Sequence, residues 1–317
     1  MSVLEIKNLN IGFNTESGFH QALHDVSITL EEGKTLAIVG ESGCGKTVTA
    51  MSILNLLPKN AKIISGEILY KGKSLLCLNE EEYRSIRGKK IALIPQDPMT
   101  ALNPLYTVGD QLLEILKIHQ NLTGDEAVRR AIEAFDEVQI PSARERLKSY
   151  PHEFSGGMKQ RAIIAMALAC DAEILIADEP TTALDVTIQA QIMELINNVK
   201  KERNTSVILI THDLALVKEN ADDICVMYCG QVVEKGNIES FFNNPLHPYS
   251  KALLKSLPAA RGISLEVIKG QPPTIEQNIS GCRFHPRCKE CFDKCEKNIP
   301  ELKNINGVQF SACLLYN

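Results

Sequence analysis

The stretch from Thr35 to Thr49 constrains this chain more than any other. Thr35-Leu36-Ala37-Ile38-Val39 is a short apolar run that ends at Gly40-Glu41-Ser42-Gly43-Cys44-Gly45-Lys46-Thr47, and a helical pattern follows from Val48 to Leu57. A strand entering a glycine-rich turn and a helix leaving it is the context in which such a loop grips phosphate. Gly40, Gly43 and Gly45 lack a Cβ and reach positive φ, so backbone N–H groups can close around phosphate oxygens. The helix that follows turns its positive dipole end toward the same anion. Lys46 suits the β/γ-phosphates, and the Thr47 hydroxyl suits Mg²⁺. Glu41, Ser42 and Cys44 complete the nucleotide-binding loop.

Around this loop the pattern alternates strands and helices. Residues 2–30 alternate apolar and polar side chains, which predicts two or three strands with turns at 14–18 and 31–33. Gly66 to Leu76 predicts a further strand or pair, and Lys90 to Pro95 a buried strand ending at Gln96. Thr107 to Gln139 changes period and predicts amphipathic helices split near Thr123-Gly124. Met158 to Ala169 predicts an alanine-rich helix and Val186 to Arg203 another. Glu173 to Ala177 and Ser206 to Ile210 are apolar strands, and 224–234 is a hairpin around Cys229-Gly230. Buried strands alternating with helices imply a parallel sheet covered on both faces, with ligands at the carboxyl ends of its strands.

Composition narrows the class. The 317 residues, 44% hydrophobic and 23% charged, suit a globular protein with a proper core. A net charge of −5 gives no electrostatic case for nucleic acid, and the absence of Trp argues against a base-stacking surface. No apolar run approaches the ~20 residues of a spanning helix, and the first residues lack a signal peptide's pattern. A cytosolic location is expected, with membrane association through a partner. Of ten cysteines, Cys282, Cys288, Cys291, Cys295 and Cys313 crowd the tail, which in a reducing compartment argues for metal over disulfides.

Other residues carry chemistry. Ile174 to Ala177 delivers Asp178 and Glu179 to a strand tip. Asp178 suits the water shell of Mg²⁺, and Glu179 a general base for attack on a γ-phosphate. An Asp-Glu pair at such a place also serves as a helix cap. Gln96 and His212 end two further strands and suit contacts to metal, water and γ-phosphate. Ser155, followed by Gly156 and Gly157, opens a second anion-ready helix start within Phe154-Ser155-Gly156-Gly157-Met158-Lys159-Gln160-Arg161.

With these motifs in this order, residues 1 to about 255 resemble the nucleotide-binding subunit of an ATP-binding-cassette (ABC) transporter. The matching motifs are Walker A at Gly40–Thr47, the Q-loop at Gln96, the signature at Phe154–Gln160, Walker B at Ile174–Glu179, the D-loop at Ala183-Leu184-Asp185 and the switch histidine at His212. The resemblance implies an α/β P-loop NTPase (RecA-like) core, an N-terminal antiparallel β-subdomain and a helical subdomain at about 98–168. It implies ATP and Mg²⁺ as ligands, and Glu179, His212, Gln96 and Lys46 as the hydrolytic residues. It further implies a head-to-tail dimer in which each ATP lies between one subunit's Walker A and the other's Ser155 and Gly157. The family's adenine-stacking aromatic is assigned to Phe13, with Phe19 in reserve. Cys44 stands where many relatives have Ser.

The tail resembles the oligopeptide and dipeptide importers. Asn244 to Leu254 matches the segment after their cassette, and Gly281-Cys282-Arg283-Phe284-His285-Pro286-Arg287-Cys288 their cysteine motif. That resemblance makes 256–317 a Cys-rich extension in which Cys282, Cys288, Cys295 and Cys313 hold a 4Fe–4S cluster, with Zn²⁺ the alternative. Expected partners are two transmembrane permeases, a second ABC ATPase subunit, identical or different, and, indirectly, an extracellular solute-binding protein. The expected function is ATP-driven uptake of peptides, or of a related small solute such as nickel, from the inner face of the membrane. A soluble ABC ATPase in DNA repair, translation or cluster assembly is the alternative.

Overall fold

The computed structural model describes residues 1–182, 184–256, 268–277 and 279–316. Ala183 of the expected D-loop and the composition change near Pro258 lie outside these residues. In chain order the first elements are β1 (Ser2–Thr15), β2 (Gly18–Glu31), β3 (Thr35–Val39), α1 (Lys46–Ile53), β4 (Ala61–Tyr70) and β5 (Lys73–Ser74). Next come α2 (Glu80–Ile86), β6 (Ile91–Ile94), α3 (Pro98–Ala101), α4 (Val108–Gln120), α5 (Gly124–Glu137), α6 (Ala143–Arg146), α7 (Gly156–Leu168), β7 (Ile174–Asp178) and α8 (Val186–Arg203). The remainder are β8 (Ser206–Thr211), α9 (Leu214–Asn220), β9 (Asp223–Tyr228), β10 (Gln231–Asn237), α10 (Ile238–Asn243), α11 (Pro248–Lys255), α12 (Asp293–Lys297), β11 (Lys303–Asn304) and β12 (Phe310–Ser311). The chain divides into two compact units, Met1–Cys77 with Leu209–Asn317, and Leu78–Ile208.

In the first unit, β1 pairs antiparallel with β2 and β4, and β5 extends β4. The N-terminal alternation therefore folds into two long strands, each with one face buried. All residues of β3 are buried, as a strand covered on both faces requires. It runs parallel to β9, which returns antiparallel as β10. The tail joins this sheet: β12 pairs with β10, placing Ser311 opposite Glu234, and β11 pairs with β12. Ala37, Val39, Tyr228, Tyr249 and Phe284 share one buried cluster. Phe284 belongs to the tail and is 3% exposed, a burial worth about 2 kcal/mol. The extension thus borrows the core of this unit instead of building its own.

The second unit pairs β6 parallel with β7, every residue of β7 being buried. Leu112 and Leu116 of α4, Ala131 and Phe135 of α5 and Ile164 of α7 are buried at helical spacing. Phe135 meets Phe154 edge to face, with ring centroids 6.5 Å apart, just ahead of α7.

His247 sits where tail and sheet meet. It caps α11 by accepting the Tyr249 N–H on Nδ1 at 3.0 Å and packs on Phe284. Burial, then the charge of Lys251, pushes its pKa from 6.5 down to about 3. His24 is likewise pushed to about 4 by burial and Arg283. A histidine whose folded pKa lies below its unfolded one contributes stability that is full above about pH 6.5 and lost as pH falls toward the folded value. Melting temperature is therefore expected to drop between pH 6.5 and 4, and the drop to be shallower in His247→Gln. An unchanged slope in that variant contradicts the assignment.

Candidate functional site

The phosphate loop is built from its backbone outward. Gly45 caps α1 with φ at 106°, and a Cβ there would meet Leu23 Cδ2 at 2.5 Å. Only glycine fits both demands. Lys46, the first residue of α1, is 5% exposed, and its Nζ donates to the carbonyls of Gly40 (2.8 Å) and Glu41 (3.1 Å). A buried ammonium needs such partners, and an anion entering the loop offers it stronger ones. The β9–β10 turn braces the loop from behind. Cys229 and Gly230 both have positive φ, 43° and 78°, as a two-residue hairpin turn demands. Gly230 N–H donates to Cys44 O at 2.9 Å, and its own carbonyl accepts from His24 N–H at 2.8 Å. Cys44 is buried, and burial raises its thiol pKa. At the loop's entrance Glu41 N–H donates to the Tyr249 hydroxyl at 2.9 Å. The Glu41 carboxylate receives the Arg287 guanidinium at 2.6 and 3.0 Å.

Ser42 and Gly43 are exposed, and Thr47 is half-buried. Exposed His212 follows β8, just before Asp213 caps α9. Alternation along β1 puts Phe13 on the face of Ile11, whose cross-strand partner Leu23 approaches Gly45. Phe19 lies over Gly12 on the other face and is 51% exposed.

In the second unit β7 ends at Asp178, 1% exposed, and the chain turns at Glu179, whose φ is 47°. Left-handed backbone at a non-glycine residue costs about 1–3 kcal/mol and gathers at functional sites. Glu179 Oε2 accepts from Gln96 Nε2 at 3.2 Å and from Thr182 Oγ1 at 2.8 Å. Gln96 and Glu179 thus come together, with the carboxylate oriented by two donors. At the start of α7 the Ser155 hydroxyl accepts from Met158 N–H at 3.3 Å. A Cβ on Gly156 would meet nothing within 4 Å, and one on Gly157 only Ile188 at 3.6 Å, so within this unit the helix start is open. Buried Gln160 donates to Pro180 O at 2.7 Å and ties α7 to the segment after β7. Asp185 caps α8 by accepting from Ile188 N–H at 2.9 Å.

In the tail, Cys282 N–H donates to Cys295 O at 2.8 Å. Burial, with contributions from Cys295 and Cys313, pushes Cys282 up to about 11. Burial, with Cys282, Cys313 and Cys291, pushes Cys288 up to about 12. Cys313 is raised by burial and by Cys295. Cys291 is exposed. Among the described residues no group of three or more His, Cys, Asp or Glu side chains is placed to hold a metal ion. Also among them, no helix is long and apolar enough to cross a membrane.

Thr182, Gly230, Tyr249 and Arg287 hold the site residues, yet sequence reasoning did not single them out for it. Only the Thr182 contact is local, three residues from Glu179; the others arise from partners distant in the chain.

Comparison with known proteins agrees with this geometry. The ABC transporter family model matches residues 23–182, and the model of the oligopeptide/dipeptide transporter C-terminal region matches 233–295. The chain is 50% identical over 301 residues to the dipeptide transport ATP-binding protein of Bacillus subtilis, covering 94% of this chain and 90% of the relative. It is 45% identical over 314 residues to the oligopeptide transport ATP-binding protein of Escherichia coli, covering 98% and 93%. Among solved structures, a dimeric ATP-binding cassette in a post-hydrolysis state with ADP and phosphate matches with a TM-score of 0.67 at 27% identity, over 74% of this chain and 98% of that one. A cassette that is part of the ABC transporter complex cbiONQ of Clostridium perfringens matches with a TM-score of 0.65 at 28% identity, over 77% and 91%.

Removing the Thr182 hydroxyl frees one constraint on Glu179. Thr182→Val is expected to slow nucleotide hydrolysis about fivefold, the equivalent of one hydrogen bond of ~1 kcal/mol, without changing nucleotide affinity. Steady-state kinetics beside equilibrium binding checks this, and equal turnover contradicts it.

Proposed function

The chain belongs to the ABC transporter family, and on that premise we propose how it works as the ATP-hydrolysing subunit of an oligopeptide/dipeptide importer. The observation that carries the reading is the succession in one chain of a cassette and the peptide-transporter C-terminal region. Relatives at 45–50% identity carry peptide-transport ATP-binding functions in their names. ATP and Mg²⁺ fit the family, and permeases in the membrane are the partners such subunits serve.

Residue roles follow from the motifs. The amides of Gly40–Thr47 would cradle phosphate and Lys46 would neutralise it, while Thr47 and Asp178 would hold Mg²⁺, which would offset phosphate charge. Glu179 takes the proton of the attacking water, while Gln96 and His212 respond to the γ-phosphate. Phe13 is the proposed base-stacking residue, supported by the face it shares with Ile11. Ser155 and Gly157 serve the ATP of a second ABC subunit, head to tail, and the exposed Ser155 suits that task. ATP then joins the subunits, and its hydrolysis releases them, a switch that biases the permeases.

In this reading, residues 1–255 form the nucleotide-binding domain and 98–168 its permease-facing helical subdomain. Residues 256–317 form the extension. The protein works on the cytoplasmic face, peripheral to the membrane, with two permeases and, indirectly, an extracellular binding protein. Cys282, Cys288, Cys295 and Cys313 are proposed to hold a 4Fe–4S cluster, with Zn²⁺ the alternative. The bond from Cys282 N–H to Cys295 O at 2.8 Å, which brings two of these residues together, supports this. A zinc ion would draw four sulfurs to ~2.3 Å of one atom, whereas a cluster spreads its thiolates around a larger cage. Iron and acid-labile sulfide in the purified protein, with absorption near 400 nm, would support the cluster; zinc alone would exclude it.

Glu179→Gln is expected to cut turnover at least ~100-fold with MgATP binding retained, the loss typical of a missing general base. Lys46→Ala is expected to weaken MgATP binding at least ~10-fold, since a charge-assisted bond to phosphate is lost. ATPase assays and equilibrium binding read both, and parental turnover in Glu179→Gln contradicts the assignment. Copurifying nucleic acid in place of permeases would favour the soluble, non-transport alternative.

A further inference from the structure

The tail returns to the nucleotide-binding face of its unit at separated points. Glu276 accepts from the Ser17 hydroxyl at the β1–β2 turn at 2.9 Å, and Arg283 meets His24 Nδ1 at 3.1 Å. Arg287 reaches farthest. Its Nη1 and Nη2 grip both oxygens of Glu41, the second residue of the phosphate loop. Its Nε donates to Lys269 O at 3.1 Å, Nη2 to Gly270 O at 3.1 Å, and Nη1 to the Tyr228 hydroxyl at 3.3 Å. A guanidinium has five N–H donors, and these contacts engage all of them. The Arg287 side chain is 5% exposed and that of Glu41 25%. The fork geometry, stacked near the Tyr228 ring, is one that lysine cannot reproduce.

Glu41 is otherwise an awkward residue for this place. It puts a carboxylate in a loop that must accept a triphosphate, where like charges repel. Its backbone is held by Tyr249 on the N–H and by Lys46 on the carbonyl. Lys46 has to leave that carbonyl when it turns to phosphate. Arg287 is then what neutralises the Glu41 charge and fixes its side chain.

We propose that Arg287 is a positioning residue for the phosphate loop: by neutralising and anchoring Glu41, the C-terminal extension sets the affinity for nucleotide. This rests on Gly40–Thr47 being the ATP site. The extension is thereby part of the nucleotide machinery as well as an added layer on the sheet. The turn that carries Arg287 runs His285–Arg287.

The test compares MgATP dissociation constants and steady-state kinetics of the full chain carrying Arg287→Ala, Arg287→Gln, Glu41→Gln and the Glu41→Gln/Arg287→Ala pair, with melting temperatures alongside. Arg287→Ala and Arg287→Gln are expected to raise Kd and KM about tenfold with kcat within about twofold, since they leave Glu41 unneutralised beside the anion. The paired variant is expected to recover to within about threefold of the parent, because the orphaned charge goes too. Arg283→Ala, which loosens the tail elsewhere, is expected to leave Kd unchanged. Parental Kd in Arg287→Gln, or a pair that binds no more tightly than Arg287→Ala, overturns the proposal and reduces Arg287 to a staple. Should Arg287→Ala fail to fold, Arg287→Gln against its own pair with Glu41→Gln carries the same comparison. A parent protein that does not bind MgATP overturns the site itself instead.

Discussion

Holding a multiply charged phosphate with uncharged backbone amides is the demand around which this structure is arranged. Amides can do it only if the loop is curled so that they converge, and a curled loop has little intrinsic stability. The chain supplies the missing rigidity from outside. Gly230 ties Cys44 from the hairpin behind, Tyr249 ties the Glu41 N–H, and Arg287 ties the Glu41 carboxylate. Lys46 fills the loop with a buried cation bonded to the loop's own carbonyls. The aromatic cluster of Tyr228, Tyr249 and Phe284 fixes the residues that make these ties, with Tyr228 and Tyr249 centroids 4.7 Å apart. Packing, hydrogen bonding and charge therefore act on the same few atoms.

The same physics repeats at Ser155 with a different outcome. There the helix start is capped but open, its two glycines leaving space around them within their unit. In the proposed mechanism such an open helix start is half of a site, and a second ABC subunit brings the ATP to it. The energy of that closure comes from the nucleotide, which is why hydrolysis can undo it. In the same proposal Glu179 is the matching device: its left-handed backbone and the donors Gln96 and Thr182 would keep its carboxylate aimed for a single proton transfer.

What was legible in the sequence was what is local. The alternation in 2–30, the all-apolar strands before Gly40 and Asp178, and the 3.6-residue period of 107–139 each encode one element and its buried face. The phosphate loop and the second helix start are contiguous motifs, so their chemistry could be read directly. Boundaries moved at element ends: α1 opens at Lys46 but stops at Ile53, short of the helical pattern read to Leu57. Non-local partners had no signature. Nothing near Arg287 announces Glu41, and the short β12 forms only because β10 offers it an edge. The sequence marks the tail as a Cys-rich extension, but only the structure shows Phe284 of that tail packed in one cluster with Tyr228 and Tyr249.

In the proposed mechanism two ABC subunits close on each ATP, with Ser155 of one serving the phosphate loop of the other. Sedimentation velocity of the Glu179→Gln protein with and without MgATP tests it most directly, beside the same protein carrying Ser155→Arg. Monomers are expected without nucleotide, dimers with MgATP, and loss of those dimers when Ser155 is replaced although MgATP still binds. A protein that saturates with MgATP as a monomer, or dimers indifferent to Ser155→Arg, would contradict it.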